Sequence, residues 1–578
     1  MSLTEHIQRR ITQVTSDEGF TRRNERIEDI RSRRFGEHKV AIPKPYQTTA
    51  TEFRSPDIYD VLRRAPGITT ASMPIPKVKP RKSGIQAQEN SSLYERWLKE
   101  AWLVMDSRSQ TFLRLLDALY ADGAAVGKII LDRHLWGAAG KKGRREDKEA
   151  YLARVKDHRR ENFPFFWEHV PTETYYPIYD EDGLAEVLQI TERDAYTLAQ
   201  KYGLMLDGSG KMAKGDASSR YQDFPNTATF IEYWDRDQFC YMVDETVVRE
   251  PADHGYGRPP FFEAQLNITS SPKTEHQYMG LAAPLIGVSD FKSSFTTMMT
   301  NSAYLNAYPT PTYEPTGEFS QMPPDTKLEL KIGEGHVSPT GYKLVYIQTP
   351  PLGTDLMRAY EWVKQSSDEV ALAPILQGIL PVEASGTLAM TMITVAKAIL
   401  NPGLKNLGRM FNEMAGFILE QVETTLAENV PIGEDLELGP DDIKGYYKVT
   451  HDLEPIMPAE RMQKAVFLAD AYQRGAVSMQ YYRQEGIGIH DPEQMDEEVM
   501  VEKMRESPEY RTTLMQDWLE YYYAKTGKQP PLPQGIGTAP NVPVAPGGFG
   551  QSVVPGIQQP LAPGVPMAQR PQGVVASG

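Results

Sequence analysis

The feature that most constrains this chain is an apolar pattern of helical period that follows Gly386 and runs to about residue 427. Its apolar residues recur at steps of three and four: Leu388, Met392, Val395, Ile399, Leu404, Leu407, Phe411, Met414, Ile418 and Val422. A helix of some forty residues would measure roughly 60 Å, which exceeds the width of an ordinary globular domain. Pro402 interrupts the pattern, and an interior proline removes one backbone hydrogen bond. The sequence therefore predicts a long helix, 387–427, kinked at Pro402.

Two shorter helices and a small β element precede this pattern. Pro284 is suited to the first turn of a helix that ends before Pro309. Another helix begins at Thr354, a favourable N-cap residue. The proline- and glycine-rich residues between them predict two short strands, Leu328–Lys331 and Tyr342–Ile347. On spacing alone, the simpler interpretation is a set of core helices in a large α-protein.

The first half of the chain predicts a mixed α/β region. Val126–Leu131 has the composition of a strand, and turn residues at 180–183 and 235–237 each separate two strand-like segments, which indicates two hairpins. Cys240 lies in one of these segments and is expected to be a buried apolar residue. Because it is the sole cysteine, an internal disulfide is excluded, and the composition fits a reducing compartment.

The two ends of the chain differ in composition. Residues 1–45 interleave arginines with acidic residues, which favours a solvated or partner-binding arm over a nucleic-acid-binding arm. The first residues do not resemble a signal peptide, and no apolar run has the length of a membrane span. Beyond Lys528 the chain is mainly proline, glycine, valine and glutamine, which predicts a disordered or extended binding tail.

Charge and motifs narrow the possible functions. A formal charge of -15 argues against a protein that coats DNA, because neutralising phosphates requires an excess of lysine and arginine. The chain has no phosphate-binding loop, no His-Glu-x-x-His zinc motif and no Gly-x-Ser-x-Gly nucleophile motif. Asp180 and Asp182 could hold a cation, although acids between two strands usually form only a turn. We therefore expect no catalytic residue, cofactor or metal ion.

The order of elements and several local phrases resemble the portal proteins of tailed bacteriophages, the head-to-tail connectors of the podovirus-like kind. The resemblance covers about residues 50–525 and rests on these phrases: Tyr308-Pro309-Thr310-Pro311, Val382-Glu383-Ala384-Ser385-Gly386, Pro458-Ala459-Glu460-Arg461 and Arg474-Gly475-Ala476-Val477-Ser478. It is an architectural resemblance, without a catalytic signature.

The resemblance implies an α+β portal fold. Its parts would be a flexible arm of mixed charge (1–45), a mixed α/β wing (46–277), a first stem helix (278–308), a small β clip (309–353), a second stem helix (354–376), a tunnel loop (377–386), a continuation of the wing with the long kinked helix and a strand (387–452), a helical crown (453–526) and a disordered Pro/Gly-rich tail (527–578).

A portal protein is a structural component of the virion and not an enzyme. The resemblance implies a dodecameric ring at one capsid vertex, through which double-stranded DNA is packaged and ejected. It also implies contacts with the terminase large subunit, head–tail adaptor and tail proteins, and the major capsid and scaffold proteins, with no membrane partner. The chain would be found in the host cytoplasm during assembly and then in the virion. The long helix would bury its apolar stripe against neighbouring copies.

The resemblance also suggests residues that meet DNA. Lys292 and Lys364, one on each stem helix, are candidates for weak contacts in the channel, and Glu383 is a candidate in the loop. The tunnel-loop residues are Gly378, Ile379, Leu380, Pro381, Val382, Glu383, Ala384 and Ser385. For Lys292, Lys364 and Glu383, an exposed position on an outer face is an equally good interpretation.

Two other functions remain open at this point. One is a metal-dependent enzyme that processes nucleic acids, with Asp180 and Asp182 as Mg²⁺ ligands. The other is a different structural protein of the virion, such as an adaptor or a scaffold. An assembled ring would distinguish the portal function from both.

Overall fold

The computed structural model describes residues 3–42, 50–69, 73–80, 85–132, 146–206, 212–214, 225–307, 310–317, 342–347, 354–370, 397–433, 436–451 and 458–487, with a few single residues besides. The predicted strand Leu328–Lys331, the predicted tunnel loop and the predicted tail lie outside these ranges. The chain divides into two compact units, residues 1–467 and residues 468–578. The fold is of the mixed α+β class.

The helices are, in chain order, α1 (Leu3–Thr15), α2 (Glu18–Arg34), α3 (Asp57–Thr69), α4 (Ile85–Ser109), α5 (Thr111–Ala121), α6 (Lys148–Glu161), α7 (Ala195–Tyr202), α8 (Thr274–Gln277), α9 (Ile286–Ala307), α10 (Thr354–Val370), α11 (Asn401–Gln421), α12 (Pro440–Ile443), α13 (Pro458–Gln473) and α14 (Met479–Tyr481). Short 3-10 turns occupy Thr172–Thr174 and Ala283–Leu285, and π-helical turns occupy Val422–Leu426 and Tyr482–Ile487. Among the described residues, no helix combines the length and the apolar character needed to cross a membrane.

The strands are β1 (Pro76–Lys77), β2 (Ala124–Leu131), β3 (Phe165–Val170), β4 (Tyr175–Asp180), β5 (Gly183–Asp194), β6 (Leu204–Leu206), β7 (Met212–Lys214), β8 (Thr227–Trp234), β9 (Gln238–Val243), β10 (Thr246–Asp253), β11 (Phe261–Gln265), β12 (Thr310–Pro315), β13 (Tyr342–Ile347), β14 (Val430–Ile432), β15 (Leu436–Leu438) and β16 (Thr450–His451). The larger sheets have the orders β10-β9-β8-β5-β4 and β11-β2-β3, and the other strands pair two by two. All pairings are antiparallel.

The core of the first unit is built around α11, which packs on β2, β11 and β16. The apolar stripe predicted from the sequence is almost fully buried here, at Leu404, Leu407, Phe411, Met414 and Ile418. The Phe411 ring meets those of Trp102 and Trp167 edge-on, at centroid distances of 5.2 and 5.7 Å. The prediction that neighbouring copies bury this stripe is therefore wrong for α11, because its own chain encloses it.

Pro402 lies in the first turn of α11 rather than within a continuous helix. Residues 398–400 form a turn, and the amide of Leu404 donates to the carbonyl of Leu400 at 3.2 Å. A proline is tolerated in a first turn because its missing N–H would have no partner inside the helix. The helical pattern is thus interrupted just before Pro402, and residues 387–396 lie outside the described part of the chain.

The five-stranded sheet contains both hairpins predicted from the sequence. Asp180 pairs with Gly183 at one turn, and Trp234 pairs with Phe239 at the other. Along β9 the side chains alternate between the two faces, so Cys240 and Met242 point to the face that α1 covers with Ile7 and Val14. Cys240 is buried in a strand, as predicted.

The prediction of a solvated arm over residues 1–45 is wrong for residues 3–34. The apolar stripe of α1 packs on the sheet, and α2 is held by arginines that reach separate elements. Arg33 and Arg34 form bidentate pairs with Asp290 of α9 and Asp117 of α5, with four N–O distances of 2.8 Å. The acids that pair with these arginines lie far along the chain, so a local reading of charge does not find them.

The second unit begins inside α13, at residue 468. After α13 the chain turns at Gly475, which has a positive φ of 72°. The Ser478 hydroxyl then caps α14 by accepting from the amide of Tyr481 at 3.1 Å. The rings of Tyr472 and Tyr482 stack with centroids 5.9 Å apart, which joins the two helical segments.

Candidate functional site

The part of the first unit that differs most from a compact core is the run α9–β12–β13–α10, which we call the stem–ribbon element. Strands β12 and β13 form a two-stranded ribbon, with Thr310 opposite Ile347 at the end nearest the helices and Pro315 opposite Tyr342 at the far end. In chain order, β12 begins three residues after α9 ends at Ala307, and α10 begins seven residues after β13 ends at Ile347. The element is therefore a pair of contacting helices with a β-ribbon inserted between them in the sequence.

Aromatic contacts join the two helices of this element. Phe291 and Phe295 of α9 stack on each other with centroids 5.9 Å apart, and Phe295 stacks on Tyr360 of α10 at 4.9 Å. α10 also contacts the 3-10 turn that precedes α9. The two helices are therefore packed against each other.

A different kind of contact holds α9 to the rest of the unit. The backbone of residues 51–55, which we call the strap, follows α9 and bonds to its side chains at every second residue. The amides of Thr51, Phe53 and Ser55 donate to Asn301 Oδ1, Thr297 Oγ1 and Ser293 Oγ at 3.0, 2.9 and 2.9 Å. Asn301 and Thr297 also donate to the carbonyls of Thr51 and Phe53, at 3.1 and 3.3 Å.

The spacing of these bonds follows from the geometry of helices and extended chains. Side chains four apart on a helix are separated by about 6 Å along its axis. Residues two apart in an extended chain are separated by about 6.6 Å. Ser289 continues the same row of α9, but its buried hydroxyl has no hydrogen-bond partner among the described residues. The reason is that Pro56 lacks an amide hydrogen and Asp57 already begins α3.

Two ion pairs lie beside the strap. The ammonium of Lys292 is 2.9 Å from Asp57 Oδ2, and the guanidinium of Arg33 binds both carboxylate oxygens of Asp290. Hydrogen bonding to Asp290 raises the pKa of Arg33 above its ordinary value, so this pair stays charged across the physiological range.

Large apolar side chains of the stem–ribbon element remain exposed in the single chain. Trp362 of α10 is 72% exposed, and Tyr304 and Met298 of α9 are 66% and 47% exposed. Phe291, Tyr346 and Met357 of the same element are also more than a third exposed. Single exposed apolar residues are common on protein surfaces, but six on the described part of one element, one of them a tryptophan, indicate a surface that another molecule covers.

The ribbon has one edge that prolines protect. Pro311 and Pro315 have no amide hydrogen, so the hydrogen-bonded pairs of the ribbon must be Thr310–Ile347, Thr312–Val345 and Glu314–Lys343. The two prolines therefore face away from β13 and remove two donors from the outer edge of β12. A further strand cannot pair well on that side.

The structure separates the residues predicted to meet DNA. Lys292 is only 7% exposed and its charge is paired with Asp57, so it is not available to phosphate in this chain. Lys364 is exposed on α10. Glu383 and the other predicted loop residues, 378–385, lie outside the described ranges.

The polar contacts of α9 are the functional feature that sequence reasoning missed. Ser293, Thr297 and Asn301 recur every four residues, which signals a polar face on a helix otherwise counted as apolar. Nothing in residues 51–55 marks them as the partner, because they contribute mainly backbone groups.

The acids proposed as a metal site bind a cation that the chain itself supplies. The Arg236 guanidinium lies 2.7 and 2.8 Å from the two carboxylate oxygens of Asp180 and 3.6 Å from Asp182. In the described part of the chain, no group of three or more His, Cys, Asp or Glu side chains is placed to hold a metal ion.

A groove of about 720 Å³ lies between α11, the loop at Tyr256–Arg258 and residues 447–450. The Arg258 guanidinium lies over the rings of Phe262 and Phe417, at 5.1 and 5.2 Å from their centroids. Burial raises the pKa of Glu413, which faces the same groove. The groove presents no nucleophile paired with a base, and we assign it no chemistry.

Comparison with known proteins gives structural similarity at low sequence identity. No protein-family model matches the chain, and no curated protein matches it. Among solved structures, the chain is similar to one in a structure titled "Neck of empty GTA particle computed with C6 symmetry", with 10% sequence identity and a TM-score of 0.38. The match covers 74% of this chain and 89% of that chain. A similarity this distant identifies neither a family nor a function.

Proposed function

We propose that the chain is a portal-type structural protein of a virion. Many copies form a ring at one capsid vertex, and double-stranded DNA passes through the central channel during packaging and ejection. The observation that carries the proposal is the stem–ribbon element, because its large apolar side chains lie exposed in the single chain while those of α11 are fully enclosed. The order of helix, ribbon and helix also agrees with the resemblance found in the sequence.

Burial of the exposed side chains supports self-association. Covering a large apolar side chain contributes roughly 1.5–3 kcal/mol. Trp362, Tyr304 and Met298 together therefore offer a substantial driving force for contact with a second copy. Repetition of one such contact around an axis closes a ring. The dodecameric number is taken from the resemblance.

The charge of the chain suits a channel through which DNA moves. A net charge of -15 gives little attraction for phosphate, so a passing duplex is not held. In the proposal, Lys364 supplies a weak contact from α10, and residues 378–385 with Glu383 form a loop toward the DNA. Lys292 is no longer included, because Asp57 neutralises it.

The ribbon is the proposed docking platform for the terminase large subunit and, later, for head–tail adaptor and tail proteins. It follows α9 and precedes α10 in the chain, and Tyr313, Tyr342 and Leu344 share one of its faces with Pro315. Because two donors are missing from the outer edge of β12, neighbouring ribbons pair poorly along that edge. Contacts with major capsid and scaffold proteins are assigned to the wing.

Ring formation tests the proposal directly. Native mass spectrometry and negative-stain imaging of the purified full chain should show a closed ring with a central opening. The variant Trp362→Glu should shift the population toward smaller species, since it places a charge where apolar contact is needed. Leu152→Glu is the matched control, because Leu152 is an exposed apolar residue of α6, outside the element.

Two results would overturn the proposal. One is a monomer at concentrations of tens of micromolar for the unmodified chain. The other is equal loss of rings in both variants, which would show that the stem–ribbon element has no particular role in assembly. The metal-dependent enzyme gains no support from the geometry, because Arg236 already pairs with Asp180.

A further inference from the structure

The two ends of α9 are attached to the body of the first unit in different ways. Just before the helix, the backbone of Gly280 packs so closely on α5 that a Cβ would lie 2.1 Å from the carbonyl oxygen of Ala121. The amide of Leu281 donates to the carbonyl of Tyr120 at 2.8 Å, and Leu285 is fully buried. Close backbone packing and apolar burial fix this end.

The rest of α9 is held largely by polar contacts, namely the bonds to the strap and the two ion pairs, although Ser293 and Thr297 are themselves buried and α9 also contacts α2 and α3. The strap bonds to Ser293, Thr297 and Asn301, while the side chains of residues 51–54 are exposed. Little apolar surface is therefore buried between strap and helix. A neutral hydrogen bond to the protein replaces one to water, so each contributes only modestly to the contact.

Movement of α9 would be transmitted to the ribbon. Phe295 stacks on Tyr360, so α10 would follow α9, and β12 begins only three residues after α9 ends. A helix that is fixed at one end and held along its length by polar contacts can turn about the fixed end, like a lever.

We propose that the strap is a releasable latch for this lever. In the closed state the strap is bonded to α9, and the ion pairs Arg33–Asp290 and Lys292–Asp57 are formed beside it. The stem–ribbon element is then held against the body of the first unit. When the strap leaves, α9 pivots about Gly280–Leu285 and carries the ribbon away from the body. The latch opens as one unit because the strap is a single continuous backbone. This inference concerns the chain itself and holds whether or not rings form.

Hydrogen exchange of the full chain tests the latch. The amides of Thr51, Phe53 and Ser55 should be protected, whereas those of Glu52 and Arg54 should exchange rapidly. Thr297→Val removes the two bonds to Phe53 and keeps the size and branching of the side chain. Since each neutral hydrogen bond is worth roughly 1 kcal/mol, loss of both bonds should raise exchange about thirtyfold at all three bonded amides together. Thr300→Val, at an exposed position of the same helix, is the matched control.

A distance measurement tests the movement. Spin labels at Leu113→Cys on α5 and Ala303→Cys near the end of α9 occupy exposed sites. Burial raises the pKa of the Cys240 thiol to about 11, so the native cysteine does not compete for label. With labelled chains diluted in unlabelled ones, Thr297→Val should add a population at longer distance that Thr300→Val lacks.

The latch is overturned by either of two outcomes. If Thr297→Val raises exchange only at Phe53, the bonds open independently and no latch exists. If the strap amides exchange together but the distance distribution matches that of the control, the strap releases without moving α9.

Discussion

At the scale of single residues, burial decides which charges and thiols are available, and sequence alone reveals only part of it. Cys240 was predictable, because it lies in an apolar segment with strand composition. The burial of Lys292 was not predictable, because its partner Asp57 is distant in the sequence. The spacing of residues in α9 does not show that other elements cover the face that carries this lysine. Asp180 was correctly predicted to lie in a turn, but its pairing with Arg236 depends on the next hairpin.

His451 makes a prediction about pH at this scale. Its ring lies against Trp102 and Phe411 and its Nδ1 is 3.0 Å from Asn412 Oδ1, where burial lowers the histidine pKa to about 3. The folded chain therefore keeps the ring neutral, while the unfolded chain takes up a proton below its ordinary pKa of about 6.5. The contribution of the neutral His451 ring to the free energy of unfolding is therefore complete above pH 6.5 and is lost as the pH falls toward 3.

The measurement is the free energy of unfolding in urea at pH 7 and pH 5. Between pH 7 and pH 5 the unmodified chain should lose about 2 kcal/mol of unfolding free energy through His451, because about 1.5 units of that interval lie between the histidine pKa values of the unfolded and folded chains. His451→Gln should not show this part of the loss. His276→Gln removes a histidine from an exposed position and controls for the substitution itself. An unchanged pH dependence in His451→Gln would show that this ring is not protected from protonation.

At the scale of elements, local signals located the hairpins and the helix starts, while contacts between elements had to come from the structure. The turns at 180–183 and 235–237 carry their own sequence signals, and both hairpins formed there. The cap of α7 lies where the strand ends: β5 continues to Asp194, whose carboxylate accepts from the Thr197 amide at 2.7 Å. The strap has no sequence signal because it is bound mainly through its backbone.

Close packing of α11 against β16 makes a prediction at the element scale. A Cβ on Gly408 would lie 2.6 Å from the carbonyl oxygen of His451, so Gly408→Ala forces one of the two backbones to move. We expect a destabilisation of about 1–3 kcal/mol, although alanine is intrinsically the better helix former.

Gly287→Ala in α9 is the matched control, because no atom lies within 4 Å of its Cβ position. That variant should gain up to about 1 kcal/mol from helix propensity alone. Urea denaturation of both variants checks the pair. The close approach of α11 and β16 would be contradicted if Gly408→Ala were as stable as Gly287→Ala.

At the scale of the whole molecule, the sequence indicated the α+β class and the order of its elements but not which surfaces are enclosed. The stripe of α11 was assigned to contacts between copies because of its length, whereas its own chain supplies the cover from β2 and β11. Residues 1–45 were predicted to form a solvated or partner-binding arm because arginines and acids alternate there, yet α1 and α2 contact elements from across the first unit. In both cases the deciding contacts join residues far apart in the sequence.

The covering of the large sheet by α1 makes a prediction at this scale. Ile7 is fully buried against the face that contains Cys240. Ile7→Asp should loosen α1 and raise the rate at which Cys240 reacts with a thiol reagent at least tenfold, because an unpaired carboxylate is costly to bury. Gln8→Asp introduces the same group at the neighbouring exposed position and should leave the rate unchanged. Rapid reaction in the unmodified chain would contradict the cover.

Recognition of the strap through its peptide groups has an evolutionary consequence. Substitutions at positions 51–54 other than proline leave the bonding groups in place, so this stretch is free to diverge between related chains. Ser293, Thr297 and Asn301 have no such freedom, since each supplies the bonding atom itself. A comparison of relatives should find a variable stretch facing three helix positions at which small hydroxyl or amide side chains persist.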